Sequence, residues 1–397
     1  MQNLTSARGR WILLAALLAL PSTAGAEPGV TATEILIGSC AALEGPAKFL
    51  GTQTVMGAMA FINQINAKGG IHGRTIRVVS YDDSYEPAKA VECFDRLKKE
   101  DVFAAAFFVG TPTAAKYVPK AETLKLPIVG LFTGAQLLHE PFKRYVINVR
   151  ASYYDESREL VDNLWNALGF RKIGVIYQDD AFGATVLEGV KRALTKHGAA
   201  PVAQGSFPRN TLEVKSAIDQ VRTAAPEAVV MVGPYAPLAE IVKRGRASGW
   251  RPLYLTVSFV GTEAFIEAAG ADGEGTVITQ VVPPYKSIEL PGVVQYLEAL
   301  TKHFPGNKPS FVSLEGFVDA MVLVEGLKRA GRDLTRDKLI TAIESINGLE
   351  IGLGPQLKLT YGPQDHKGFD SVYYSVVRQG HAVTFSNWKD LKGAPDR

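Results

Sequence analysis

Cysteine and histidine are scarce in this chain, two and six residues among 397. Two thiols and six scattered histidines at unsuitable spacings do not make a metal centre, and no cofactor is expected. No Gly-x-Gly-x-x-Gly follows a predicted strand, and there is neither a phosphate loop ending in Gly-Lys-Ser/Thr nor a Gly-x-Ser-x-Gly elbow. Nothing therefore supplies a nucleophile or a base, and an enzyme is not expected. Asp82-Asp83 reads as the end of a strand and a cap on the next helix rather than as an acid/base pair. Charge of one sign is also lacking. With 43 basic residues against 40 acidic ones, nucleic acid or an acidic membrane surface is a poor partner. Repeats, low-complexity runs and flexible linkers are absent too.

The one sizeable apolar run lies at the start. Arg8 and Arg10 precede an apolar stretch from Trp11 to Leu20, Pro21 breaks it, and Ala24-Gly25-Ala26 supplies a small-x-small cleavage pattern. The run is shorter than the roughly 20 residues a bilayer span needs. It reads as a signal peptide over 1–26, cleaved after Ala26, and places the mature protein in the periplasm. Its removal leaves 41 basic and 40 acidic residues on a chain of about 370, long enough for two domains. In an oxidising compartment Cys40 and Cys93 either form one disulfide or remain two buried thiols.

Short apolar runs alternate with amphipathic stretches. Strands are predicted over 35–38, 75–80, 103–108 and 127–130, with helices over 54–67, 87–99 and 112–124 between them. A second series has strands over 173–177, 202–207, 228–232, 253–256 and 277–281, with helices such as 182–197 and 238–248 among them. Helices over 293–303, 311–330 and 336–346 follow, and 357–385 has strand character. The alternation predicts an α/β protein with two doubly wound, Rossmann-like lobes.

In such sheets ligands bind beyond the carboxyl ends of the strands, where helix N-termini offer free N–H groups. Two threonine-bearing loops stand there, one with Thr111 and Thr113, the other with Thr133. Their hydroxyls, with the backbone N–H groups of Thr113 and Ala135, suit a ligand carboxylate. Thr111 is equally suited to cap a helix. Aromatic residues occupy comparable loops in the second series, among them Phe182, Tyr235 and Phe259, and fit either the apolar body of a ligand or ordinary packing.

The segment Ala60-Phe61-Ile62-Asn63-Gln64-Ile65-Asn66-Ala67-Lys68-Gly69-Gly70-Ile71-His72-Gly73-Arg74 resembles the opening of the branched-chain amino acid (leucine/isoleucine/valine-type) periplasmic binding proteins of ABC importers. Leu43-Glu44-Gly45-Pro46, Asp82-Asp83-Ser84-Tyr85-Glu86-Pro87, Tyr177-Gln178-Asp179-Asp180-Ala181-Phe182-Gly183 and His366-Lys367-Gly368-Phe369-Asp370 extend the likeness along the chain. The resemblance implies a type I periplasmic-binding fold whose two lobes are joined by three crossover strands. The expected partition is 27–148 with 283–358, and 149–282 with 359–397. It also implies a small-molecule ligand in the cleft, a monomer, and transient docking on an inner-membrane ABC permease. The alternative is a periplasmic sensor of amides or organic acids with the same fold. Carboxylate-holding positions of the family map to Thr111 or Thr113 and to Thr133 and Ala135, and cleft-lining aromatic positions to Phe182 and Tyr235. Where amino acid binders place a glutamate for the α-ammonium, this sequence has Ser258. Glu44 or Asp179 is then the candidate replacement; otherwise the ligand is an acid without an ammonium.

Overall fold

Strand β1 (Glu34–Ala41) is buried along nearly its whole length, as its apolar run requires for a strand covered on both faces. The computed structural model describes residues 27–355 and 357–393, and the leader read at 1–26 lies outside them. After β1 come α1 (Lys48–Asn66), β2 (Thr75–Asp82), α2 (Pro87–Lys99), β3 (Ala104–Ala106), α3 (Thr111–Leu124), β4 (Ile128–Val129) and β5 (Val146–Ile147). The five strands form a parallel sheet in the order β2-β1-β3-β4-β5.

The chain then builds α4 (Tyr153–Asn163), β6 (Ile173–Gln178), α5 (Ala181–Lys196), β7 (Ala203–Phe207), α6 (Lys215–Arg222), β8 (Ala228–Val232), α7 (Tyr235–Ala247), β9 (Leu253–Thr256), α8 (Thr262–Ala269) and β10 (Val277–Gln280). Helices α9 (Pro291–His303), α10 (Phe311–Ala330) and α11 (Arg336–Glu344) return to the first lobe, where their apolar faces join Ile37, Ala58 and Ala104 in one buried cluster. A two-residue ladder pairs β11 (Leu349–Glu350) with β12 (Lys358–Leu359). The last strands, β13 (Tyr373–Arg378) and β14 (His381–Phe385), run antiparallel on the edge of the second sheet, whose order is β14-β13-β10-β9-β8-β6-β7. The parallel strands of both sheets thus follow one doubly wound order, and the order reverses beside β1 and β6. Those reversals are where such sheets open a crevice.

Helices α1 and α10 touch backbone to backbone. A Cβ on Gly57 would come within 1.8 Å of the Ser313 carbonyl oxygen, and one on Gly316 within 2.1 Å of that of Thr54, so each position needs glycine. Three details differ from the sequence expectation. Strand β3 stops at Ala106 because Phe107 takes φ 63° and sends its N–H to the Gly130 carbonyl. Helix α1 begins at Lys48 rather than at 54. Helix α4, which apolar periodicity does not announce, is started by a capping box in which Ser152 and Asp155 bond each other's backbone.

Two of the crossings between lobes are laced together. Gly368 and Phe369 donate to the carbonyls of Asn148 and Val149, and Asn148 donates to that of His366. Beside the remaining crossing, Glu263 of α8 accepts from the Phe311 N–H at the start of α10, 3.3 Å away. Burial pushes the Glu263 carboxyl up to about 7, despite Lys286 nearby. An acid whose folded pKa is raised adds stability below its unfolded pKa and loses it as pH rises through the folded value. Glu263→Gln should therefore gain on the wild type between pH 5 and 8, by at most about 3 kcal/mol, as read by denaturant titration at each pH.

Cys40 of β1 and Cys93 of α2 form a disulfide, with Cα atoms 6.1 Å apart and a sequence separation of 53. It ties a sheet strand to the helix above it. Replacing both cysteines by alanine should cost about 2–4 kcal/mol in denaturant unfolding, and the wild type unfolded without reductant should show no free thiol.

Candidate ligand site

The loops that follow β3 and β4 meet through their threonines. Gly110 takes φ 98°, where a Cβ would strike the Tyr85 ring at 2.2 Å, and so turns the chain into α3. Thr111 and Thr133, both buried, share a hydrogen bond of 2.7 Å between their hydroxyls. Two hydroxyls carry two protons and one closes this bond, so one O–H remains to offer. The Thr113 hydroxyl instead caps its own turn, donating toward the carbonyls of Val109 (2.6 Å) and Gly110 (2.9 Å). What Thr113 retains for a ligand is its N–H in the first turn of α3, where helical amides lack intrahelical partners. Ala135 is buried at the start of the short turn Gln136–Leu138.

Five buried rings line the same junction. Phe182 lies 5.1 Å from Tyr153 and 4.6 Å from Phe259, measured between centroids. Phe259 is also 5.5 Å from Phe132 and 5.8 Å from Tyr85. Tyr85 and Phe132 follow strands of the first sheet, Phe182 and Phe259 strands of the second. Tyr153 opens α4, and its phenol stands beside Thr133, short of full hydrogen-bond geometry. Tyr235 sits at the margin of this cluster, half-buried, with its ring 6.1 Å from Phe49 across the lobes.

Ser258 lies in a network of buried charge. Its N–H and hydroxyl both donate to Glu156, at 2.8 and 3.1 Å, and its hydroxyl accepts from Arg150. Arg150 follows β5 on the first crossing and also bonds Glu156 (2.9 Å) and Glu315 of α10 (3.0 Å). Its guanidinium carbon lies 5.4 Å from the Phe132 centroid and 5.5 Å from that of Tyr153. Burial opposes the Arg150 charge, but Glu315 and Glu156 outweigh it and hold its pKa above the ordinary value. Burial pushes Glu315 up to about 7 against the pull of Arg150. Asp319, one turn further along α10, is raised by burial and by Glu315.

Sequence reasoning missed Arg150, Glu156, Glu315 and Tyr153. Two signals were there to find: an arginine directly after an apolar strand, and the acids Glu315 and Asp319 inside the apolar first half of α10. The structure does not bring Glu44 to Ser258. The Glu44 side chain is solvent-exposed, and its N–H is taken by Asp82 at 2.9 Å. Asp179 is exposed as well. Neither acid replaces the one missing at Ser258, because each keeps its carboxylate in water.

The lobes are in contact. Gln178 donates to the Tyr85 phenol at 3.1 Å, and Arg209 binds Glu86 at 2.8 Å. Arg150→Ala would leave Glu156 and Glu315 buried without their cation, which typically costs about 3–5 kcal/mol. A loss of that order in denaturant unfolding is expected, well above the effect of any single hydroxyl at the site.

Residues 34–382 match the family of periplasmic binding proteins. The Leu/Ile/Val-binding protein homolog 7 of Brucella suis is 24% identical over 371 residues, which cover 89% of this chain and 92% of the relative. The crystal structure of a possible leucine/isoleucine/valine-binding protein from Rhodopirellula baltica superposes with a TM-score of 0.86 at 33% identity, covering 93% of this chain and 99% of that one. A fatty acid ABC transporter substrate-binding protein from Thermomonospora curvata shares the fold, with a TM-score of 0.82 at 24% identity over 92% of this chain and 95% of that one. Among the described residues no helix is long and apolar enough to cross a membrane. Two doubly wound lobes, three crossings and a buried junction of hydroxyls and rings agree with this likeness, and the chain belongs to the periplasmic binding protein family.

Proposed function

We propose that this protein is the periplasmic solute-binding component of an ABC importer and captures a small carboxylate-bearing ligand between its lobes. The observation that carries this reading is the buried Thr111–Thr133 hydroxyl pair beside rings from both lobes. Hydroxyl and amide donors at a helix N-terminus suit a carboxylate, and Phe182, Phe259, Phe132 and Tyr85 suit an apolar body. A ligand that touches both lobes favours the closed state over the open one by its differential contacts. Residues 1–26 then direct export, and the lobes divide as 27–148 with 283–358 and 149–282 with 359–397. The closed monomer docks on its permease, and binding proceeds without turnover.

A thermal-shift panel of branched-chain and aromatic carboxylates, each with its amide, tests the reading, since ligand at about 100 times Kd adds about 2.7 kcal/mol. Thr133→Val keeps the side-chain volume and removes one hydroxyl. Calorimetry of the best carboxylate should show a loss of about 1.5–3 kcal/mol, roughly 10- to 150-fold in Kd, with little change in unfolding. Stabilisation by amides alone, or a Thr133→Val change under about twofold, would remove the carboxylate assignment.

A further inference from the structure

Across the contact between the lobes, Glu86 receives two donors from a single loop. Arg209 donates to one carboxylate oxygen at 2.8 Å and the Asn210 amide to the other. Asn210 also reaches the Ser84 carbonyl at 3.4 Å. Arg209 and Asn210 follow β7 in the second lobe, whereas Ser84, Tyr85 and Glu86 lead into α2 in the first. Asp180, after β6, lies 3.6 Å from Arg209. It accepts at 2.6 Å from the Gln178 amide, the same amide that donates to the Tyr85 phenol. One polar line thus runs from the loop to Tyr85, whose ring packs against Phe259 of the aromatic cluster.

Ser84, Tyr85 and Asn210 all take left-handed backbone, with φ of 49°, 59° and 57°. Such conformations are uncommon away from glycine and gather at clamps and switches. Each lobe sustains its own share of them. Asp82 accepts from the Ser84 N–H at 3.0 Å and Asp83 from the Tyr85 N–H at 2.8 Å. In the other lobe the Thr211 hydroxyl donates to the Pro208 carbonyl at 2.9 Å and accepts from the Glu213 N–H. Neither half needs the other to hold its shape, so parting them breaks only the bonds between lobes. The charges also keep access to water, since 39% of the Glu86 side chain and 22% of that of Arg209 are exposed. Parting Arg150 from its acids, by contrast, would strand buried charge. Arg209 Nε and Asn210 Oδ1 are buried without a partner among the described residues, and opening returns both to solvent, which keeps the contact reversible.

We infer that the loop carrying Arg209 and Asn210 is a latch: it closes on Glu86 by direct contact, without a ligand, and sets how much of the ligand-free protein is closed. This concerns closure and stands whichever ligand the site takes. A ligand that needs both lobes gains from a population already closed.

The test is small-angle X-ray scattering of the mature protein, stripped of ligand by unfolding and refolding with its disulfide intact. At low ionic strength the wild type should give the radius of gyration of closed lobes. Glu86→Gln and Arg209→Gln should each raise it, as the closed-to-open ratio falls by about tenfold. The two substitutions together should open the lobes little further than either alone, because both break one contact. Lys215→Gln removes the same charge from an exposed pair within α6 and should leave the radius unchanged. A salt arm needs no variant: raising NaCl from about 0.05 M to about 1 M screens partly exposed charges and should open the wild type. A ligand-free wild type already open at low salt, or variants as closed as the wild type, would overturn the inference. So would additive opening in the double variant, or equal opening by Lys215→Gln.

Discussion

A guanidinium buried to 2% exposure at the first crossing constrains everything around it. Removing such a charge from water is costly unless partners surround it. Arg150 takes its partners from three directions: Glu156 on the first helix of the second lobe, Glu315 on the longest helix of the first, and Ser258 after a strand of the second sheet. Displacing either acid leaves a charge without compensation, so their relative positions are held firmly where the lobes meet. The rings of Phe132 and Tyr153 pack on the guanidinium and join the aromatic cluster. Electrostatics and ring packing are therefore one arrangement, and site chemistry cannot be altered there without touching the scaffold.

The body of the first lobe is stiff for different reasons. The contact of α1 with α10 leaves no room for a side chain at Gly57 or Gly316, and the Cys40–Cys93 bond fixes α2 over the sheet. Close-packed interiors of this kind move as units. Between the lobes some contacts are of another kind, polar ones such as Arg209 with Glu86, which can exchange for water.

Much of the fold was legible in the sequence, because period and punctuation announce it directly. Strands β8 and β9 and helices α2 and α10 fall where alternation, proline and glycine place them. Helix α4 escaped because its signal is a cap rather than a periodic face, and β3 is shorter than its apolar run because Phe107 leaves extended geometry. Local chemistry singled out Thr111, Thr133, Phe182 and Ser258, and the structure gathers them where strand ends of both sheets meet. Sequence could not supply the pairing of Arg150 with Glu315, 165 residues apart. Such a pair is made by tertiary approach: an arginine after an apolar strand and an acid inside an apolar helix signal burial without naming each other as partners. Glu44 illustrates the opposite error: an acid in a site-bearing loop whose side chain turns to solvent.

The lacing of residues 148–149 with 366–369 means that neither lobe is a continuous piece of chain. The second sheet gains its edge strands only after the first lobe's last helices have been made, and that lobe in turn must wait for α10 to cover α1. Contacts so distant in sequence form slowly, since loop closure precedes any reward. A ribosome releasing this polypeptide from its N-terminus therefore holds no finished half until nearly all of it has emerged. Such a chain stays unfolded longest during synthesis and acquires both halves together once it is free.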